Sequence, residues 1–144
     1  MSQLETTPFS QGFVALALEQ AGYDPADAKQ AGVYAIKCNH PTSDLEALTR
    51  RWLAVFESTP DYLEEVATAS DVAYVGASNH SVFDRLIDHA DGEKRKARFL
   101  QVFEPVELLT IWPDEDALQN ERQYAYQFKR EHPEWCVVCD GEPV

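Results

Sequence analysis

Two short apolar runs, 32–38 and 72–76, each hold one tyrosine among small and β-branched residues. Side chains alternate along a strand, so Val33 and Ala35 point one way and Tyr34 and Ile36 the other. A buried tyrosine needs a partner for its hydroxyl. On neighbouring strands, Tyr34 and Tyr74 would aim both hydroxyls at one point. Core packing alone accounts for either tyrosine singly. The remaining segments have to pack around these two strands.

The pattern elsewhere is mostly helical. A helix is predicted over 9–21, with Ser10 as its cap, Gly22 as its stop, and Phe13, Leu16 and Ala17 on one face. Tyr23-Asp24-Pro25 begins a turn. Ser43-Asp44-Leu45-Glu46 has the form of a capping box and opens a helix to about Phe56, with Leu45, Leu48, Trp52 and Val55 inward. Thr59-Pro60 starts a shorter helix, proline being suited to a first turn. A helix follows over 81–90, stopped by Asp91-Gly92. A strand covers part of 100–111, interrupted at Pro105. Asp114 caps a last long helix that ends at His132-Pro133. This order gives an α+β or layered α/β domain with a small sheet.

A chain of 144 residues suits one domain. It contains no run of 18 apolar residues that would cross a membrane, and its first residues carry no basic leader. A cytoplasmic protein with no membrane partner is the expectation. The net charge of −13 argues against a phosphate backbone as ligand. It is also what a protein adapted to a salt-rich, halophile-like cytoplasm would carry, and lysine is scarce. At about 1 M salt the Debye length is about 3 Å, so local cations outweigh the total. Lys94, Arg95, Lys96 and Arg98 form one such local cluster; a solvated loop is the other reading of that run.

Glu121 stands out without reference to any family. The apolar stripe of the last helix is Ala117, Leu118, Tyr124, Ala125 and Phe128, and Glu121 falls at its centre. A carboxylate facing a core is costly unless it is paired or holds a metal. A buried Glu–Arg pair and an active-site role both fit. In the 81–90 helix, Val82, Phe83, Leu86 and Ile87 form the apolar face. Arg85 and His89 share one margin, while Asp84 and Asp88 lie on the solvent side. A guanidinium there can hold a phosphate, and a histidine one turn on can exchange a proton near neutral pH. Polar shoulders of an ordinary amphipathic helix would look the same. Cys136 and Cys139 form a lone CxxC, with His132 as one further zinc-ligand candidate; a short apolar strand over 135–139 explains them equally.

The ordered set Gly32-Val33-Tyr34, Tyr74-Val75-Gly76, Ser78, Asn79, Arg85, His89 and Glu121, followed by Lys129 and Pro133, resembles the GIY-YIG nuclease family. The resemblance covers about 32–135. Two departures stand against it. Residues 39–71 separate the tripeptides where a short loop is usual, and read as an inserted helical pair. Glu134-Trp135 stands where an asparagine commonly follows the proline.

The resemblance implies a small antiparallel three-stranded sheet flanked by helices, after an N-terminal helical extension over 1–31 and before a tail over 136–144. It implies a metal-dependent endonuclease acting on nucleic acid, DNA foremost. Glu121 would hold Mg²⁺ or Mn²⁺ and Arg85 would clamp the phosphate. Tyr34, with or without His89, would activate water, and Tyr74 would orient the phosphate or that water. Ser78, Asn79 and the cationic run would contact the nucleic acid. Specificity would come from nucleic-acid shape, from the insertion, or from a protein partner. A catalytically idle nucleic-acid-binding or protein-interaction domain is the alternative, and a small zinc protein built on the cysteines a third.

Overall fold

A computed structural model describes residues 14–91 and 98–144. Its elements in chain order are α1 (Val14–Gln20), a 3-10 turn (Pro25–Ala28), β1 (Gly32–Cys38), α2 (Leu45–Leu53), α3 (Leu63–Thr68), β2 (Val72–Ser78), α4 (Val82–Asp91), α5 (Arg98–Val102), β3 (Pro105–Pro113), α6 (Ala117–Glu131), β4 (Cys136–Cys139) and β5 (Glu142–Pro143). The class is α+β, with helices on both faces of one sheet.

That sheet is five-stranded and mixed, in the order β3-β1-β2-β4-β5. It is wider than the three antiparallel strands expected, because the segment read as a tail forms β4 and β5. β1 pairs antiparallel with β2 and β3, and β2 pairs parallel with β4. The two tyrosine strands are therefore direct neighbours. Residues 39–71 leave and return without splitting them, and α2 and α3 pack beside the sheet.

Alternation along the strands produces two cores. Tyr34, Ile36, Cys38, Val72, Tyr74 and Val138 pack on one face against residues of α1 to α5. Val33, Ala35, Ala73, Val75, Ala77 and Val137 pack on the other against Ala117, Ala125 and Phe128 of α6. Both faces of the central strands are covered, which is why their sequences read as unbroken apolar runs.

Several sequence expectations need correction. Leu16 is 43% exposed, since the buried side of α1 is set by Val14 and Leu18; Ser10 and Phe13 lie outside the described residues. In α2 the core takes Leu48 and Trp52, while Leu45 and Val55 are exposed. Leu45 is the first helical residue and Val55 lies beyond the last, so neither sits over the sheet. The cap is Asp44, whose carboxylate accepts from the Glu46 amide at 3.0 Å. The helix expected from Thr59-Pro60 begins only at Leu63. Residues 98–102 are helical, and β3 starts at Pro105 rather than being interrupted there. Leu118 is exposed at the start of α6.

β4 and β5 are joined through Asp140 and Gly141, with φ of 55° and 81°. Two successive left-handed residues make the tight hairpin turn that an Asp-Gly pair favours.

Candidate active site

β1 and β2 set Tyr34 opposite Gly76 and Ile36 opposite Tyr74. The two tyrosines are thus diagonal neighbours on one face. Gly76 is what allows Tyr34 to lie flat across β2. A methyl group there would come within 2.6 Å of the hydroxyl oxygen and 2.7 Å of the ring carbon bearing it.

α4 brings His89 and Arg85 to the same place. His89 is fully buried, with its Nε2 2.5 Å from the Tyr34 hydroxyl. Its ring stands 5.6 Å from both the Tyr34 and the Tyr74 rings, edge-on to the latter. This is deeper than the cleft margin expected from helix spacing, because the tyrosines supply a polar niche behind the sheet surface. Arg85 does reach the margin. Its side chain is 34% exposed and lies 3.7 Å from Asp88. Its guanidinium is near enough to act on Tyr34, opposing the effect of burial there.

Glu121 approaches from the other side of the sheet, on α6. β4 ends opposite Val75, so the edge of β2 from Gly76 onward has no neighbouring strand. Glu121 is half-buried and acts electrostatically on both Tyr34 and Tyr74. Cys139 acts on its carboxylate in the opposite sense to burial, favouring the ionised form. All five expected residues therefore form one electrostatic neighbourhood.

Burial dominates the titration of this group. It pushes Tyr34 well above the usual phenol range, reinforced by Tyr74 and Glu121 and opposed by Arg85. Tyr74 is raised for the same first cause, with Glu121 next. Burial also raises Glu121; Asp140 adds to the effect, while Cys139, Arg122 and Arg85 counter it. At neutral pH both tyrosines are protonated hydrogen-bond donors.

Asp140 was missed by sequence reasoning, although the Asp140-Gly141 turn signal was available. The turn sets its carboxylate near Glu121. One or two carboxylates with open solvent suit a magnesium-type ion, which keeps several waters. Among the described residues no group of three His, Cys, Asp or Glu side chains gathers as a cage for a metal. Cys136 and Cys139 point to opposite faces of β4 and cannot grip one zinc ion. Burial pushes each thiol up to about 12.

The expected nucleic-acid contacts divide. Lys94, Arg95 and Lys96 lie outside the described residues. Arg98 is exposed, over the Phe56 ring. Ser78 accepts from the amides of His80 and Ser81 at 3.1 and 3.0 Å, closing the turn into α4. The Asn79 carboxamide oxygen accepts from the Leu118 amide at 3.0 Å. Asp116, at the formal cap of α6, makes no side-chain cap bond, so Asn79 caps that helix from another segment. Asn79→Ala should cost about 1 kcal/mol in chemical denaturation. Unchanged stability would mean that this bond does not secure α6. Lys129 donates to the carbonyls of Pro133 and Trp135, so it ties down the end of α6, away from the tyrosines.

No protein-family description, curated protein or solved structure matches this chain.

Proposed function

We propose that the chain is a metal-dependent endonuclease of GIY-YIG type, hydrolysing phosphodiester bonds in nucleic acid, DNA first among candidates. The observation that carries this reading is the grouping of Tyr34, Tyr74, His89 and Arg85 on one face of the sheet, with Glu121 on α6 near enough to act electrostatically on both tyrosines. Core packing has no need of a buried imidazole, two phenols, a guanidinium and a half-buried carboxylate in one place.

Glu121, with Asp140 beside it, would hold the divalent ion, which when bound stabilises charge on the leaving oxygen. Arg85 grips a non-bridging phosphate oxygen and balances the charge that builds up there. Tyr34 takes a proton from the attacking water as it hands its own to Nε2 of His89. The hydrogen bond of 2.5 Å is the path for that second transfer. This relay removes the need for a free phenolate, which burial makes costly. Tyr74 stays neutral and donates to the phosphate or to the water.

Tyr34 is fully buried, and the Arg85 guanidinium is near enough to act on it electrostatically. An incoming phosphate would compete for Arg85, drawing it from Asp88 and clearing a way to Tyr34. The same burial favours the second reading, an idle binding domain of this fold. The net charge of −13 points in that direction too.

Plasmid nicking in Mg²⁺ or Mn²⁺, across a salt series, separates the two. The nuclease reading expects nicking by the parent and a loss of about a hundredfold or more for Arg85→Ala. Binding without nicking at any salt concentration would favour the idle domain.

A further inference from the structure

A cleft adjoins the site and shares Tyr74 and Asp140 with it. It has a volume of about 450 Å³ and lies between the loop after α2 and the Asp140–Gly141 turn, with Tyr74 in its wall. Small-molecule sites span about 300–1,000 Å³. Trp52, Tyr62, Phe99 and Arg98 complete its sides. The Trp52 indole N–H donates to the Ser58 carbonyl at 2.9 Å, and Tyr62 stands edge-on to that indole at 6.3 Å. Phe99 stacks on Phe103 at 4.8 Å. The Arg98 guanidinium carbon rests 4.4 Å from the centre of the Phe56 ring. These contacts hold the aromatic and cationic groups in position before any ligand arrives.

We propose that this cleft receives the base of an unpaired nucleotide lying next to the scissile phosphate, so that the preferred substrate carries an unpaired residue rather than being uniform duplex. The proposal rests on the nuclease reading and names its substrate class. Three features converge on it. Trp52 and Phe99 are buried and only back the cleft, while the half-buried Tyr62 ring offers the stacking face, which suits any base because every base has a π-face. Arg98 offers a cation to the phosphate of the same nucleotide. Tyr74 belongs to both the cleft and the reacting group, so a base seated there sets the neighbouring phosphate against Arg85. Fully paired bases stay inside their stack and cannot enter. A chain with net charge −13 gains little from counterion release, and stacking gives it another source of affinity.

The test uses the full chain carrying Glu121→Gln, in Mg²⁺, with two duplexes. One holds a single unpaired 2-aminopurine; in the other the same residue is paired. Binding should be roughly tenfold tighter to the first, with the fluorophore quenched by stacking. Arg98→Ala should reduce that preference. Thr59→Trp, which narrows the cleft from an exposed position, should bring it to one. Equal affinity for the two duplexes, or a preference that survives Thr59→Trp, overturns the proposal and leaves the nuclease reading intact if the parent nicks DNA. Neither binding nor nicking on any substrate overturns both.

Discussion

Replacing Gly76 with alanine is expected to cost about 3 kcal/mol of stability, at the upper end of overpacking effects, and to remove any activity with it. The added carbon would sit 2.6 Å from the Tyr34 oxygen. The terminus of a loose side chain would yield, but Tyr34 is fully buried and tied to His89. Relief therefore means moving β1 against β2 or driving the ring into the α4 side of the core. Urea denaturation reads the cost directly, and a midpoint equal to the parent's would show that Tyr34 does not cross β2 at Gly76. Ala77, one residue on, points into the opposite core, so Ala77→Gly should not reproduce the effect on the site.

Glu121→Gln is expected to remove nicking by a thousandfold or more while the fold survives, since metal stabilisation of the leaving group contributes several kcal/mol. Stability should move the other way. Burial raises the Glu121 carboxyl above its ordinary range, so the folded state favours the protonated form. That preference benefits stability at low pH and is lost as pH rises through the raised value. At pH 7 the parent carries an ionised, half-buried carboxylate, and glutamine relieves it. The mutant should be more stable there, by no more than about 1 kcal/mol, because solvent screens a half-exposed charge. The gap should close as pH falls and vanish below the ordinary glutamate value of about 4.3.

A structural ion pair with Arg85 predicts the reverse, a loss of about 3 kcal/mol or more. Arg85 already faces Asp88 at 3.7 Å, and its influence on Glu121 is outweighed by burial. Thermal melts at two pH values, run beside the nicking assay, distinguish these outcomes. A mutant melting far below its parent would sink the metal-site reading.

The placement of these side chains was partly legible because it depends on local periodicity. Strand alternation put Tyr34 and Tyr74 on one face, and helical spacing put Glu121 toward the sheet. β1 has the boundaries expected of it, and α6 ends where His132-Pro133 stops it. Errors gathered where tertiary context decides. The expected inward faces of α1, α2 and α6 included Leu16, Leu45, Val55 and Leu118, yet a helix buries only what lies over the sheet. The depth of His89 was hidden for a related reason: its niche is made by two tyrosines from other elements. Residues 135–139 read as a short apolar strand, but nothing local indicates that its neighbour is β2 or that the pairing is parallel. Ser78 and Asn79, expected at a ligand, serve turn and helix ends. A side chain's hydrogen-bond partner many residues away leaves no mark in spacing.

The parallel pairing of β2 with β4 also has a temporal side. β1 and β2 can join as soon as both have been synthesised. The outer edge of β2 then waits until α4, α5, β3 and α6 have followed before β4 arrives to cover it. For that interval the nascent chain presents a hydrophobic strand with unpaired amides, the kind of edge that recruits foreign strands. Mutual repulsion among acidic chains is one safeguard available during synthesis, because it keeps ribosome-bound copies apart before the sheet is complete.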